Sequence, residues 1–382
     1  MKKSYLMIAA AAALFAACSS NDLKNDVKNY AESPINFSTF ATRQTKADNS
    51  NQNATWDLED HSTSFYVWSW KKYEGAWVTP AVFNKTGVNY TTAWNTEESK
   101  YWDKSADSYY FYAAAPKDAK WTLNNNSTAD NYGDDYLTYA DFTLTGTNLS
   151  TSSVTTYQNS FKNVGDVDLM IAEDNEILRT VFNVTNPPAV NEIFDHVLSR
   201  LNVTVKRGAQ LEAGNATVKL VEFAITGVNL NNKGSFTENA ASGATLKNGT
   251  TARWNGYDIA NGPYNLAGAI PTANIEGTAL YICQYLIIPQ TITSEVLDRA
   301  TGKNGANNPA HPYFKIKYTI DNEPYTAYYN LANAFHIEGG STLAFCEGYQ
   351  NNLNIIIDAD VITFDPVVRQ WDNKTTYEQT IK

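Results

Sequence analysis

Short segments that alternate apolar and polar residues recur along this 382-residue chain, and no long stretch has helical periodicity. In residues 201–205, Leu201, Val203 and Val205 alternate with two polar residues, as in a strand with one face in solvent. The segments are rich in Val, Ile, Thr and aromatic residues, and clusters of Asn, Gly, Asp and Ser separate them. Further examples are residues 65–70, 109–114, 218–225, 280–288, 313–320 and 353–357. The pattern predicts an all-β protein of antiparallel β-sandwich architecture.

The length of the chain leaves room for two or three domains, each with its own core. Residues 183–191 contain Pro187 and Pro188 together with polar residues, and they do not alternate. A domain boundary is expected in such a segment. We therefore predict two tandem β-sandwich domains, at residues 35–182 and 190–382.

The N-terminus has the features of a lipoprotein signal. Two lysines precede an apolar run, residues 6–17, which is too short to span a bilayer. Small residues then precede Cys18, the only cysteine in the first 282 residues, and together they resemble a bacterial lipobox. We predict a signal peptide at residues 1–17 and a tether at residues 18–34, with acyl chains on Cys18 as the anchor. An ordinary signal peptide followed by an incidental cysteine is the alternative.

Composition and motifs argue against an enzyme and against nucleic-acid binding. The formal net charge of −11 repels nucleic acid, and four histidines leave little material for acid–base chemistry or a histidine metal site. The chain lacks the Gly-x-Ser-x-Gly, phosphate-loop and His-Glu-x-x-His motifs, so neither a cofactor nor a metal is predicted. Asp195 and His196 lie near Ser199 and could belong to a triad. Adjacent strand residues face opposite sides, however, which favours a hydrogen-bonded structural histidine.

Aromatic residues make up 13% of the chain, and most of the tryptophans lie in its first half. Exposed Trp and Tyr rings could stack on sugars, which makes a glycan-binding surface lipoprotein an alternative function. Most of these residues belong to alternating segments, in which half of the side chains face the core. The alternation therefore favours a structural role for many of them.

Cys283 and Cys346 follow the predicted export signal, so they are expected in an oxidising compartment. The two residues could form a disulfide there. Two buried thiols on neighbouring strands fit the sequence equally well, because spacing alone does not fix connectivity.

Six segments in chain order form a recognisable set. They are the strand-like residues 34–43, residues 168–172, the Phe-x-His-x-Leu-Ser-x-Leu motif at 194–201, residues 285–290, Gly339-Gly340 with residues 352–356, and the closing residues 362–371. This set resembles the fimbrillin family, the lipoprotein pilins of Bacteroidota that build type V pili. The resemblance spans nearly the whole chain.

The resemblance implies two transthyretin-like sandwiches in a pilus subunit that serves adhesion. In the family, the precursor crosses the outer membrane as a lipoprotein, and an arginine-specific protease removes the lipidated leader together with the first strand. The exposed groove accepts a strand from a neighbouring subunit, commonly from its C-terminal region. The implied partners are therefore that protease and other pilin subunits, and the implied location is first the outer membrane and then the fimbrium at the cell surface.

The leading strand of this chain suits such a scheme. Ile35, Phe37, Thr39 and Ala41 occupy alternate positions, so they fall on one face of a strand. Loss of the strand would uncover an apolar groove and a row of unpaired backbone groups. A strand from another subunit would restore the pairing by β-augmentation.

Arg43 is the predicted cleavage site. It is the first arginine after Cys18, and residues 44–54 are polar and rich in turn-forming residues, which indicates an accessible segment. Cleavage between Arg43 and Gln44 would separate the lipid and the first strand from the body. A surface arginine without a role in processing is the alternative.

Two segments near the C-terminus are candidate donor strands. Tyr377, Gln379 and Ile381 alternate weakly in the tail, after a turn-like segment at residues 371–374. Residues 361–368 are the other candidate, and the sequence does not decide between the two.

Overall fold

The computed structural model describes residues 33–41, 64–124, 135–145, 167–226, 228–238, 253–258, 266–268, 273–337, 340–359, 362–370 and 379–380. The first strands of the described residues, in chain order, are β1 (Phe37–Ala41), β2 (Phe65–Tyr73), β3 (Ala76–Tyr90), β4 (Trp94–Thr96), β5 (Ser108–Ala115), β6 (Trp121–Asn124), β7 (Tyr136–Thr143), β8 (Met170–Leu178) and β9 (Val190–His196). The next are β10 (Ser199–Arg207), β11 (Val218–Thr226), β12 (Lys233–Thr237), β13 (Trp254–Asp258), β14 (Leu266–Gly268), β15 (Ala273–Ile275), β16 (Leu280–Ile287) and β17 (Gln290–Thr293). The last are β18 (Tyr313–Ile320), β19 (Glu323–Asn330), β20 (Thr342–Phe345), β21 (Tyr349–Ile357), β22 (Ile362–Phe364), β23 (Val367–Gln370) and β24 (Gln379–Thr380).

The helices of the described residues are α1 (Arg179–Phe182), α2 (Ala209–Ala213) and α3 (Leu331–Ala334). The side chain of Asn330 caps α3 by accepting a hydrogen bond from the backbone N–H of Asn333. None of these helices is long and apolar enough to cross a membrane. The prediction of an all-β protein is confirmed.

The first sheet closes on itself. Its strand order is β1-β4-β3-β2-β5-β8-β9, and β9 pairs with β1 to complete the ring. The neighbours are antiparallel except for β1 and β9, which run parallel. Strand β5 is buried at every position, as expected of a strand covered on both faces. In this order β1 has a backbone partner on each side.

Two hairpins show why the sequence turns where it does. Tyr73 pairs with Ala76 across a two-residue turn, in which Glu74 and Gly75 have φ of 48° and 81°. Asp321 and Asn322, with φ of 50° and 73°, make the corresponding turn between β18 and β19. Positive φ at both central residues suits the right-handed twist of the flanking strands, and Gly, Asn and Asp tolerate it best.

The other strands form four further sheets. One has the order β16-β10-β21-β23-β24, with β22 also paired to β21, and another has the order β14-β11-β18-β19, with β15 also paired to β11. The third has the order β13-β12-β7-β6, and the fourth pairs β17 with β20. Strands β10 and β21 run parallel, which the expectation of antiparallel sheets did not include. Parallel pairing needs a long connection, and 150 residues separate the paired Arg200 and Gln350.

Strand pairing crosses the predicted domain boundary. Strand β9, assigned to the second half from the sequence, pairs with β8 and β1, and β7 of the first half pairs with β12. One buried apolar cluster contains Trp68 and Trp121 together with Leu201 and Phe236. A second cluster is built from the strands of the closed sheet and includes Phe37. The division into two sandwiches therefore remains a prediction, because the described strands share a sheet and a core across it.

Candidate functional site: the first strand and its groove

Strand β1 lies between β4 and β9, and we call the space it occupies the β1 groove. Five consecutive residue pairs join β1 to β9, from Phe37 with Val190 to Ala41 with Phe194. On the other side Phe37 pairs with Trp94 of β4. The predicted first strand is therefore an integral member of the closed sheet.

Backbone hydrogen bonds extend this pairing beyond the N-terminal end of β1. The N–H of Val190 donates to the carbonyl of Asn36 at 2.7 Å, and the N–H of Ile35 donates to the carbonyl of Lys100 at 2.9 Å. The N–H of Trp102 donates to the carbonyl of Ser33 at 3.0 Å. The segment from residue 33 onward is thus held from both sides, and its removal would leave these backbone groups without partners.

Two side chains anchor the segment in the core. Ile35 is 3% exposed and Phe37 is 5% exposed. The Phe37 ring centroid lies 6.2, 5.7 and 6.0 Å from those of Phe65, Phe83 and Phe111, with edge-to-face geometry in each case. Phe37 therefore contacts rings on β2, β3 and β5.

The remaining residues of the predicted face are placed by the backbone alone. Thr39 and Ala41 belong to β1, opposite Glu192 and Phe194 in the parallel register. Their side chains lie outside the described residues. The hydroxyl of Ser38 lies close to Asn191 Oδ1, at 3.3 Å, and to the carbonyl of Val190, at 3.5 Å.

Glu192 is a residue of the groove that the sequence reasoning missed. Its side chain is fully buried, and neither carboxyl oxygen has a hydrogen-bond partner among the described residues. Burial raises the pKa of this carboxyl to about 8. The signal was present, because Val190, Glu192 and Phe194 alternate with the exposed Asn191 and Ile193.

The predicted processing residues lie outside the described part of the chain. Cys18, Arg43 and Gln44 belong to ranges without a described structure. Strand β1 ends at Ala41, so Arg43 follows two residues after the last paired position. Lipidation and cleavage at these residues remain predictions.

The tail is described only at β24. Gln379 pairs with Val368 and Thr380 with Val367, antiparallel to β23. Tyr377 and Ile381 lie outside the described residues. The structure therefore places one of the three predicted tail residues, Gln379, on its own sheet by backbone pairing.

The other candidate donor, residues 361–368, belongs to the second half of the molecule. Strand β22 pairs with β21, and the side chain of Ile362 is buried. The ring centroid of Phe364 lies 4.9 Å from that of Tyr329 and 5.8 Å from that of Phe314. This segment therefore contributes buried and aromatic side chains to the core of the second half.

Of the two later cysteines, one lies in a strand and the other directly follows a strand of a different sheet. Cys346 follows β20 and carries a free thiol, whose pKa is raised by burial. Cys283 lies on β16 opposite Val203, and its side chain is outside the described residues. The Cys283–Cys346 disulfide considered from the sequence remains a prediction without structural support.

His196 has the structural role expected of it. Its Nδ1 contacts a carboxylate oxygen of Asp168, and both side chains are buried. The hydroxyl of Ser199 donates to the carbonyl of Tyr349 at 3.1 Å and accepts from the amide of Asn351 at 3.0 Å. Among the described residues there is also no group of three or more His, Cys, Asp or Glu side chains that could hold a metal.

The described tryptophans offer little surface for sugar stacking. Trp77 is half-buried and has Lys72 over its ring. The buried ones are Trp68, Trp70, Trp94, Trp102, Trp121 and Trp254. These rings pack in the cores, as the alternation of the segments indicated.

The geometry defines an all-β protein whose closed first sheet is completed by its N-terminal strand. A family model described as fimbrillin-like matches residues 42–371, and the chain belongs to this family. The match begins directly after β1 and ends before β24. It makes the chain a fimbrial protein of the cell surface by class. No curated protein matches the chain in sequence.

Three solved structures to which the chain is similar are a fimbrial protein, a putative cell adhesion protein and a tip fimbrial protein. A fimbrial protein from Bacteroides vulgatus is 15% identical, with a TM-score of 0.46, and the match covers 88% of this chain and 99% of that one. A putative cell adhesion protein from Bacteroides ovatus is 12% identical, with a TM-score of 0.44 and coverage of 90% and 99%. The tip fimbrial protein Mfa3 from Porphyromonas gingivalis is 10% identical, with a TM-score of 0.34 and coverage of 83% and 97%.

Proposed function

We propose that this chain is the precursor of a structural subunit of a type V pilus, which polymerises by exchange of a strand between subunits. In this proposal the precursor is exported as a lipoprotein acylated at Cys18 and is carried to the cell surface. An arginine-specific protease cuts after Arg43, and the leader leaves together with β1. The β1 groove is then filled by the tail of a neighbouring subunit, and the assembled fimbrium serves adhesion.

The single observation that carries the proposal is the position of β1. It is the first described strand, it closes the sheet, and it ends two residues before the predicted cleavage site. A cut in this segment would convert a covalently attached strand into one held by its contacts alone. No other strand of the closed sheet can be detached by one cut near its end, because each of the others has paired strands before and after it in the chain.

The contacts of β1 explain why its groove would not stay empty. Full burial of a side chain such as Ile35 or Phe37 stabilises a fold by about 1.5–3 kcal/mol each. An emptied groove would expose the apolar side chains that now contact them, together with the unpaired backbone edges of β4 and β9. A second extended strand with apolar residues at alternate positions would bury both again.

The tail is the better donor of the two candidates. Strand β22 is paired to β21 and its Phe364 ring packs against Tyr329, so its departure would open the second half of the molecule. The described part of the tail pairs only through Gln379 and Thr380. Within the described residues, release of β24 breaks only these two residue pairs, whereas release of β22 breaks three and removes a buried side chain.

Purified precursor treated with an arginine-specific protease tests the proposal. We expect loss of the leader, as seen in the intact mass, followed by polymers visible by electron microscopy and size-exclusion chromatography. The variant R43A should keep its leader and stay monomeric, whereas the neighbouring variant K46A should behave as the natural sequence does. A trimmed protein that stays monomeric for days would contradict strand exchange.

A further inference from the structure

Strand β1 leaves one polar group of its groove unsatisfied. Glu192 lies opposite Thr39 in the parallel register, is fully buried, and has no hydrogen-bond partner for either carboxyl oxygen among the described residues. A buried polar group without a partner destabilises the state that contains it. A strand that supplied a hydrogen-bond partner for this carboxyl would therefore be held more firmly in the groove.

The surroundings of Glu192 are apolar. Val190 and Phe194, its neighbours at alternate positions of β9, are both buried, and the Phe194 ring centroid lies 5.2 Å from that of Phe65. Burial raises the pKa of the carboxyl to about 8, so the group is neutral at pH 7. A neutral carboxyl has one O–H donor and retains acceptor oxygens. A primary amide offers both a donor and an acceptor, and its shape matches that pair.

The tail carries an amide at the matching position. In β1 the residues at alternate positions are Phe37, Thr39 and Ala41, an aromatic residue, a small polar residue and a small apolar one. In the tail they are Tyr377, Gln379 and Ile381. If the incoming strand aligns its three residues with those of β1, Gln379 is the middle residue and lies opposite Glu192 in either a parallel or an antiparallel orientation.

We propose that the tail of a second copy enters the β1 groove with Gln379 beside Glu192, and that this amide–carboxyl pair fixes the register and selects the tail over β1. The inference rests on the proposed function and adds the residue that determines which strand is accepted. The Glu192 O–H donates to the Gln379 Oε1, and the Gln379 amide N–H donates to the Glu192 carbonyl oxygen. A strand with an aliphatic residue at this position supplies no hydrogen-bond partner for Glu192.

A peptide competition tests this pairing. The full chain, nicked after Arg43 so that β1 is held by its contacts alone, is mixed with a labelled peptide of residues 374–382. Fluorescence anisotropy reports binding, and mass spectrometry reports release of the leader. We expect the Q379L peptide to bind about tenfold or more weakly than the natural peptide. The T380V peptide, changed on the opposite face of the strand, should bind within about twofold of the natural one.

Substitutions of Glu192 test the other member of the proposed pair. In the E192L variant, the preference for the natural peptide over the Q379L peptide should vanish or reverse, because a leucine side chain cannot hydrogen-bond to the amide. The E192Q variant should retain part of this preference. Equal binding of the natural and Q379L peptides to the unchanged groove would overturn the assignment, as would an undiminished preference in E192L. If no peptide displaces β1, strand exchange itself fails and the pairing fails with it. Binding of every peptide with equal affinity would leave strand exchange intact and refute only the role of Glu192.

Discussion

Phe37 anchors β1 in the core of the closed sheet. Its ring meets three others in edge-to-face contacts inside the closed sheet. We expect F37A to lower the free energy of unfolding by about 3–5 kcal/mol, because the truncation loses burial and leaves a cavity. Urea unfolding followed by tryptophan fluorescence measures this.

A matched control lies on β9. Ile193 is 39% exposed on the outer face of the same sheet, so I193A should change the free energy of unfolding by about 0.5 kcal/mol or less. Equal effects of F37A and I193A would show that Phe37 is not an anchor.

Glu192 gives the fold a specific pH dependence. Its pKa is about 8 when folded, against an ordinary value of 4.5, so the folded state binds a proton that the unfolded state has lost between these pH values. The stabilisation from this group is therefore complete below pH 4.5 and decreases as the pH rises toward 8. The free energy of unfolding should fall relative to that of E192Q by roughly 1 kcal/mol per pH unit in that window. A difference between the two proteins that does not change with pH would contradict the burial of an unpaired carboxyl.

For single residues, the sequence predicted roles that depend on neighbouring positions in the chain. The hydrogen-bonded role of His196 followed from the alternation around it and is confirmed by its contact with Asp168. The burial of Glu192 was missed because a glutamate in an alternating segment is usually assigned to the solvent face. Whether that face is covered depends on β1, whose partner was not known from the sequence.

Among the strands, the alternation of apolar residues identified β1 and its apolar face. It did not identify the strands that pair with β1. Ile35 and Phe37 are buried as the alternation indicated. The parallel partner β9 lies more than 150 residues further along the chain, since Ser38 contacts Asn191 across a separation of 153. Local patterns do not encode pairings of such range, because they are decided by the packing of the whole sheet.

The tail should be dispensable for folding and necessary for assembly. Deletion of residues 371–382 removes the two described pairs of β24 and should change the free energy of unfolding by about 1 kcal/mol or less. After cleavage at Arg43 the truncated protein should form no polymers, because it has no donor strand. Electron microscopy and size-exclusion chromatography read out the result.

The truncated protein supplies its own control, because its β1 groove is unchanged. It should still bind the peptide of residues 374–382 and should cap polymers of the full chain. Polymers of the truncated protein alone, formed at the usual rate, would assign the donor role to another segment.

At the scale of the whole molecule, the halves are expected to depend on each other. A fragment of residues 190–382 would lose the partners of β9, namely β8 and β1, and the partner of β12 in β7. It would also lose part of a shared core, including Trp68 and Trp121. We expect this fragment to lack the near-ultraviolet circular dichroism of the full chain and to unfold without a cooperative transition. A cooperative transition would support the independent second domain predicted from the sequence.

We propose that the mature subunit has lost the strand that completes its precursor. The intact mass and N-terminal sequence of the protein isolated from fimbriae at the cell surface test this directly. We expect an unacylated chain that begins at Gln44, with residues 33–41 absent. An acylated Cys18 at the N-terminus, with β1 still attached in the assembled fibre, would contradict it.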